Sequence, residues 1–296
     1  MNRQKFAQIG QETVVIAAEG RYRTAGGATV DIADSVRRCV ENTRLIRPGD
    51  WPSIVRTGRS APDLPEAARV DVTPETTLAA ARRLVEREGA YRLLVLNFAS
   101  AKNPGGGFLG GSRAQEESLA RSSALYASLQ AAQDFYDQNR RARSTLYTDH
   151  AIVSPEVPVF RDDDGTLLDR PYEVTFFTMP AVNAGALRPG GGDHAKVEPV
   201  MAGRVEKVLS LAAAEGFEHL LLGAWGCGVF RNDPRLIARL FFEALFGEGD
   251  WGRKFRRVVF AVFDPTSAGE NRRAFDEAFA AVAREARKGP AVWQRE

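Results

Sequence analysis

The sequence contains little cysteine and little histidine. Its 296 residues include two cysteines, Cys39 and Cys227, and three histidines. Because the cysteines lie far apart in the chain, they indicate no disulfide framework, and we expect a protein of the reducing cytoplasm. The histidines lack the paired spacings that are typical of zinc sites, so no metal is expected.

Long apolar runs and an excess of charge are also absent. The first twenty residues lack the apolar core of a signal peptide, and no stretch reaches transmembrane length, so no membrane partner is expected. Basic and acidic residues number 40 and 38, which gives a net charge of +2. Proteins that bind duplex nucleic acid are usually far more basic, so no such partner is expected. Backbone amides and a few arginines would have to hold any polyanionic ligand.

The length and the composition fit one large globular domain with an extension. Residues 1–69 are predicted to form this accessory extension, which packs on a core of residues 70–296. The extension is expected to be mainly helical. Its predicted elements are a helix over 2–18, a strand pair around 25–27, a helix near 32–42 and a Pro- and Gly-rich loop from Pro48 to Pro65.

Beyond residue 70, strand-length apolar runs alternate with helical patterns. The expected elements are a helix from Pro74, a strand over 91–97, a helix from about Ala114, a hairpin over 151–169, a strand over 173–179, a helix over 197–215, a strand over 218–224, a helix over 234–246, a strand over 257–264 and a helix over 271–287. This order predicts an α/β fold, a three-layer α/β/α sandwich with a mixed, largely parallel sheet. Such sheets bind ligands beyond the carboxyl ends of their strands, where both glycine-rich loops fall.

The first glycine-rich loop contains the triplet Gly105–Gly107. Glycines open backbone conformations that other residues avoid, and they leave main-chain N–H groups accessible to pyrophosphate or ribose oxygens. Gln115–Glu117 begins the next helix, seven residues later. Taken separately, a glycine triplet indicates a flexible surface loop, and acids at a helix start offset the helix dipole.

The second glycine-rich loop, residues 223–232, lies between the strand that ends at Leu222 and the helix that begins at Pro234. It offers a second ring of amides. The alternative is a tight strand-to-helix turn in which Cys227 and Phe230 are core residues, and the residues alone leave both open. Cys227 is a poor candidate nucleophile, since no histidine lies near it in sequence.

Together the triplet and the acidic pair give the spacing GGG-x7-QEE. The stretch Asn103–Glu117 resembles the microbial-type poly(ADP-ribose) glycohydrolases, and the resemblance extends over about residues 70–286. It implies a macrodomain-like fold, which agrees with the order of elements. Animal enzymes of this activity carry an Asn close before Lys in this segment. Here Lys102 precedes Asn103, which is the nearest equivalent of that ribose contact.

The resemblance implies hydrolysis of the ribose–ribose O-glycosidic bonds of poly(ADP-ribose), with release of ADP-ribose. The catalytic acid would be Glu117, and Glu116 would hold ribose hydroxyls. The implied partners are poly(ADP-ribose), ADP-ribose and ADP-ribosylated proteins, as in the DNA damage response, and no cofactor is implied. The ligand-binding residues would be Asn103, Gly105, Gly106, Gly107, Gln115, Gly226, Cys227, Gly228, Val229, Phe230, Phe263 and Thr266.

The adenosine end of the ligand needs an apolar slot, usually with an aromatic face. Phe263 is placed for this role, as in macrodomains, and a core phenylalanine is the alternative. The loop over residues 265–271, which contains Thr266, would close over the adenosine ribose. Chain ends would then be accepted better than internal units.

Two other classes of function compete with this one. A macrodomain can be a reader that binds ADP-ribose without turnover, but simple binding has no need of the QEE motif. A dinucleotide-dependent oxidoreductase is disfavoured, because the glycines do not form G-x-G-x-x-G after the first strand with an acidic residue about twenty positions on.

Overall fold

The computed structural model describes residues 2–188, 190–264, 266 and 268–287, with side chains as far as residue 280. Its elements are α1 (Arg3–Glu19), β1 (Arg21–Arg23), β2 (Thr29–Asp31), α2 (Ala33–Glu41), β3 (Arg44–Ile46), α3 (Trp51–Ser60), β4 (Arg69–Thr73), α4 (Thr77–Arg82), β5 (Leu93–Phe98), α5 (Gln115–Ser122), α6 (Leu125–Ala131), α7 (Gln133–Ala142), β6 (Ala151–Arg161), β7 (Leu167–Met179), α8 (Val197–Ala214), β8 (His219–Leu222), α9 (Pro234–Phe246), β9 (Arg257–Ala261) and α10 (Glu270–Arg287). Among the described residues, no helix is both long enough and apolar enough to cross a membrane.

The main sheet has seven strands in the order β3-β6-β7-β5-β8-β9-β4. The strands β7, β5, β8, β9 and β4 are parallel to their neighbours in this series. Strand β6 runs in the opposite direction and pairs antiparallel with both of its neighbours, β3 and β7. The predicted mixed, largely parallel sheet is therefore confirmed.

Helices cover both faces of this sheet. One core joins α3, α8, α9 and α10 to one face, and the other joins α1, α2 and α4 to α7 to the opposite face. Along β5, Leu94 and Leu96 enter the first core while Leu93 and Val95 enter the second. This alternation follows from the two-residue repeat of a strand, and burial on both faces explains the unbroken apolar run. The predicted three-layer α/β/α sandwich is confirmed.

The segment before residue 70 contributes to the main sheet and its core. Strand β3 pairs with β6 at the sheet edge. The loop predicted from Pro48 to Pro65 is partly wrong, because residues 51–60 form helix α3. Pro52 lies in its first turn, where a proline costs no helical hydrogen bond. The helix is held by Trp51, which is buried and whose indole N–H donates to the carbonyl of Asp149 at 2.7 Å. The division of the chain at residue 70 stays a prediction.

Helix α3 packs closely on α8 because Gly58 has no side chain. A Cβ at this position would collide with the carbonyl oxygen of Ser210 and lie 3.0 Å from its Cα. We expect Gly58→Ala to lower the free energy of unfolding by ~1–3 kcal/mol, since overpacking against a backbone outweighs the gain in helix propensity. Gly49→Ala is the matched control, because a Cβ there meets nothing within 4 Å. Urea unfolding of both variants checks this, and equal stabilities would contradict the close packing.

Candidate active site

The residues predicted for the site gather at one edge of the sheet. Because β7, β5, β8 and β9 are parallel neighbours, their carboxyl ends meet there. The first glycine-rich loop follows β5, the second follows β8, and Phe263 follows β9. The strand ends are in contact, since a Cβ on Gly223 would lie 3.0 Å from the ring of Phe98 and 2.6 Å from the carbonyl oxygen of Ala261.

The glycine triplet lies directly against the acidic residues. Gly105 and Gly106 have φ of +65° and +59°, in the left-handed region that favours glycine. A Cβ on Gly106 would collide with Oε1 of Glu117 and lie 3.4 Å from Oε2 of Glu116. A side chain at this position would therefore separate the loop from both carboxyl groups.

Glu117 is partly exposed in the first turn of α5. Its Oε1 accepts a hydrogen bond from the backbone N–H of Gly107 at 3.0 Å. Within the described part of the chain, Oε2 accepts none. One oxygen is thus fixed to the loop, and the other is left for a ligand.

Glu116 is buried, with 2% of its surface exposed. Its Oε1 accepts from the side-chain amide of Asn97 at 3.2 Å, and its Oε2 accepts from the backbone N–H of Ser100 at 2.6 Å. Burial raises the pKa of Glu116 to about 8, and the charge of Glu117 adds to this rise, while the hydrogen bonds oppose it. Glu116 is therefore mainly protonated at neutral pH.

Gln115 fixes the start of α5 to the end of β5. Its Oε1 accepts from the N–H of Phe98 at 2.9 Å, and its Nε2 donates to the carbonyl of Leu96 at 2.8 Å and to Oγ1 of Thr77 at 3.3 Å. Both ends of the amide are thus bound to the protein. Contact between Gln115 and a ligand stays a prediction.

Asn103 lies on the exposed side of the first loop. Its carbonyl oxygen accepts from the N–H of Gly106 at 3.0 Å, and its own N–H donates to Oγ of Ser100 at 3.2 Å. These bonds shape the turn that leads into the glycine triplet. The side chain itself is open to solvent and to a ligand.

The second loop depends on Asn232, a residue that no sequence motif indicates. Its buried Nδ2 donates to the carbonyls of Val182 at 2.7 Å and Gly226 at 3.1 Å. Gly226 has φ of +75°, and a Cβ there would lie 2.6 Å from this nitrogen and 2.5 Å from Cβ of Ala181. Asn232 therefore holds the loop against the residues that follow β7. Its place as the last residue of the loop was the only available signal.

The outer part of the second loop is open. Gly228 is exposed, and so is Val229, with 78% of its surface free. Phe230 is half-buried, with its ring centroid 5.9 Å from that of Tyr147. Cys227 is not activated, because burial raises the pKa of its thiol far above the ordinary value.

Phe263 leaves 60% of its surface exposed, so the alternative of a core phenylalanine is wrong. Thr266 is also exposed, and its Oγ1 donates to Oδ1 of Asp264 at 2.6 Å. Asp264 further accepts from the N–H of Asn271 at 2.9 Å, which fixes the turn after β9. Pro265 and Ser267, in the loop predicted to close over the adenosine ribose, lie outside the described residues.

The N–H groups of Gly106 and Gly107 already donate within the protein, so the ring of accessible amides expected at the first loop is not found there. The arrangement combines the backbone amides of the second loop with one neutral acid and one accessible acid. It suits a ligand that carries both phosphates and sugars, and it can supply a proton to that ligand. No three His, Cys, Asp or Glu side chains are grouped as metal ligands anywhere in the described ranges.

Burial of Glu116 makes stability depend on pH. Its folded pKa of about 8 lies above the ordinary 4.5, so its stabilising share is complete below about pH 4.5 and is lost as pH rises through 8. We expect the free energy of unfolding to fall over this interval, and to fall less in Glu116→Gln. The difference should reach a few kcal/mol, at about 1.4 kcal/mol per pKa unit. Urea unfolding at about pH 5, 7 and 9 measures it. Glu248→Gln, at an exposed acid, is the control, and equal slopes in all three proteins would contradict the burial argument.

Comparison with known proteins identifies relatives of this chain. The family model described as the catalytic domain of microbial-type PARG, that is, poly(ADP-ribose) glycohydrolase, matches residues 10–162. A comparison with curated protein sequences gave no match.

Solved structures agree with the family match. The poly(ADP-ribose) glycohydrolase from Thermomonospora curvata is 46% identical, with a TM-score of 0.89 over 93% of this chain and 100% of that one. Its complex with the inhibitor ADP-HPD is 46% identical, with a TM-score of 0.86 over the same shares. The enzyme from Deinococcus radiodurans in complex with ADP-ribose is 44% identical, with a TM-score of 0.78 over 86% of this chain and 100% of that one. The chain therefore belongs to the microbial-type poly(ADP-ribose) glycohydrolase family.

Proposed function

We propose that this protein hydrolyses the ribose–ribose O-glycosidic bonds of poly(ADP-ribose) and releases ADP-ribose, mainly from chain ends. The observation that carries the proposal is the contact between the N–H of Gly107 and Oε1 of Glu117, which holds a partly exposed acid against the glycine triplet. Family membership supports the substrate class, since relatives at 44–46% identity are glycohydrolases of this polymer.

Backbone amides of the second loop are assigned to the diphosphate. In the described part of the chain, the N–H groups of Gly226, Gly228 and Val229 donate to no protein acceptor, so they are open to phosphate oxygens. The N–H of Cys227 already donates to the carbonyl of Ala224 at 3.1 Å, so its contribution is to the shape of the loop. Phe230 is assigned to the terminal ribose, next to these amides.

The adenosine end is assigned to the residues after β9. The exposed ring of Phe263 offers an aromatic face for adenine. Thr266 lies on the turn that Asp264 fixes, at the place proposed for the adenosine ribose. An adenosine enclosed there would leave no path for a further polymer unit, which is the reason for the proposed preference for chain ends.

Glu117 is assigned as the general acid. Cleavage breaks the bond between C1 of one ribose and the 2′-oxygen of the next, through an oxocarbenium-like transition state. A proton passes from Glu117 to the leaving oxygen, which contributes ~100–10,000-fold in rate. The N–H of Gly107 then stabilises the carboxylate that remains. Water adds to C1 and returns a proton to Glu117.

Glu116 is assigned to the inner side of the terminal ribose. Because its carboxyl group is mainly protonated at neutral pH, it can donate a hydrogen bond to a ribose hydroxyl as well as accept one. Asn97 and Ser100 keep it in one orientation. Asn103, on the outer side of the same loop, is assigned to a further ribose hydroxyl.

The cellular setting is part of the proposal. Cys39 and Cys227 are both free thiols, which fits a reducing compartment such as the cytoplasm. There the natural substrates would be ADP-ribosylated proteins, including those of the DNA damage response that the family resemblance implies.

Removing the transferable proton tests the catalytic assignment. Glu117→Gln keeps the shape of the side chain, so turnover should fall by ~100-fold or more while ADP-ribose binding changes little. Release of ADP-ribose from polymer and calorimetric binding measure the two quantities, with the exposed Glu248→Gln as a control. Near-normal hydrolysis by Glu117→Gln would refute this role for Glu117. Binding without turnover by the unmodified protein would favour the reader hypothesis.

Product binding tests the assignment of the two loops. ADP-ribose reaches both loops and should stabilise the fold by ~2.7 kcal/mol at a concentration one hundred times its Kd. AMP lacks the second phosphate and the terminal ribose, so it should raise the melting temperature much less at the same concentration. Thermal unfolding with each ligand measures this, and equal shifts would exclude the two-loop arrangement.

A further inference from the structure

We propose that helix α1 holds the first glycine-rich loop in its catalytic conformation, and that Phe6 and Arg121 are the positioning residues that transmit this support. The effect on turnover rests on the proposed function. The support itself is a property of the unliganded protein and can be measured without substrate.

Helix α1 lies directly against the part of the loop that joins the glycine triplet to α5. The Nε of Arg3 donates to the carbonyl of Gly110 at 2.8 Å. A Cβ on Gly111 would collide with the backbone oxygen of Arg3, and a Cβ on Gly10 would lie 3.0 Å from the carbonyl oxygen of Phe108. Backbone thus meets backbone at two places, so a movement of α1 must move the loop.

Arg121 connects helix α1 to the first glycine-rich loop. It lies one turn after Glu117 on α5, and 5% of its surface is exposed. Its guanidinium carbon is 4.7 Å from the centre of the Phe6 ring, and its Nη1 donates to the carbonyl of Ser112 at 2.9 Å. Among the described residues, no carboxylate lies within ion-pair distance of Arg121. A buried cation needs compensation, and here the ring face and the carbonyl supply it.

The same contacts lead to the catalytic acid. The N–H of Ser112 donates to the carbonyl of Gly107 at 3.2 Å, and a Cβ on Gly107 would lie 2.6 Å from Oγ of Ser112. The N–H of Gly107 donates in turn to Glu117. Without the Phe6 ring, the buried charge of Arg121 loses part of its stabilisation, and the hydrogen bond from Arg121 to the carbonyl of Ser112 is weakened. The loop then becomes mobile, and the N–H that orients Glu117 is lost for part of the time.

Two substitutions of Phe6 distinguish the effect of its aromatic face from the effect of its apolar volume. Phe6→Leu keeps an apolar side chain but removes the aromatic face, while Phe6→Tyr keeps the face, and its half-buried position gives the added hydroxyl access to water. Val15→Ala is the control for a change elsewhere on α1, since Val15 is 52% exposed. Arg121→Lys is a second probe, because it keeps the charge but loses the planar group.

Amide hydrogen exchange of residues 105–112 is the direct measurement, with α9 as the internal reference. We expect exchange in this segment to rise about 3- to 30-fold in Phe6→Leu, the range that one cation–π contact supports, and to rise also in Arg121→Lys. Phe6→Tyr and Val15→Ala should match the unmodified protein. Exchange that is unchanged in Phe6→Leu, or that rises equally in α9, would overturn the proposal. If Phe6→Leu does not fold, Arg121→Lys and Phe6→Tyr decide by the same criterion.

Polymer hydrolysis provides the second measurement. In Phe6→Leu, kcat should fall by about 3- to 30-fold while the affinity for ADP-ribose, which the second loop shares, changes less. Phe6→Tyr should restore kcat, which a merely structural role of α1 would not require. A mobile loop with unchanged kcat would refute the catalytic consequence. Failure of the unmodified protein to hydrolyse polymer would refute the proposed function, while the exchange experiment would still decide whether α1 supports the loop.

Discussion

The site depends on how closely the backbone of the glycine triplet approaches two carboxyl groups. At Gly106 a single Cβ would overlap the carboxylate of Glu117, so any other residue would displace this carboxylate and would be strained at a φ of +59°. The contact between Gly107 and Glu117 joins the loop to the first turn of α5. A loop rich in glycine is flexible in isolation. Its conformation must therefore be fixed by its surroundings, and the surrounding side chains are arranged accordingly.

Three polar side chains bind the two glycine-rich loops to the ends of the strands. Gln115 holds the start of α5 to the last residues of β5 through both ends of its amide. Asn97, at the end of β5, donates to Glu116 and to Oγ1 of Thr178 on β7, so it joins the acid to two parallel strands. Asn232 performs the same task for the second loop. The two loops thus take their positions from neighbouring strands of the sheet.

The sequence predicted those parts of the structure that local signals determine. The spacing from Gly105 to Glu117 could be read directly, and the helix expected over 234–246 was confirmed, since Pro234 marks its first turn. Helix α3 was missed because Pro48 and Gly58 resemble loop signals, whereas Gly58 in fact serves the contact with α8. Asn232 and Arg121 act through partners that are distant in sequence, and no local pattern records such contacts. The family resemblance implies different roles for Glu116 and Glu117, but their different burial is visible only in the folded chain.

That difference in burial also bears on how a nearly neutral protein can hold a polyanion. The net charge of +2 supplies no strong field, so the charges at the site itself decide whether phosphates approach. Glu116 is mainly uncharged at neutral pH, which removes one repulsive charge from the ribose pocket. The buried guanidinium of Arg121 lies one helical turn from Glu117 and places a positive charge close to the site. The backbone amides of Gly226, Gly228 and Val229, which donate to no acceptor in the described part of the chain, then provide the attraction for phosphates. A charge change at Arg121 would therefore affect polymer binding through the field at the site, in addition to its effect on the loop.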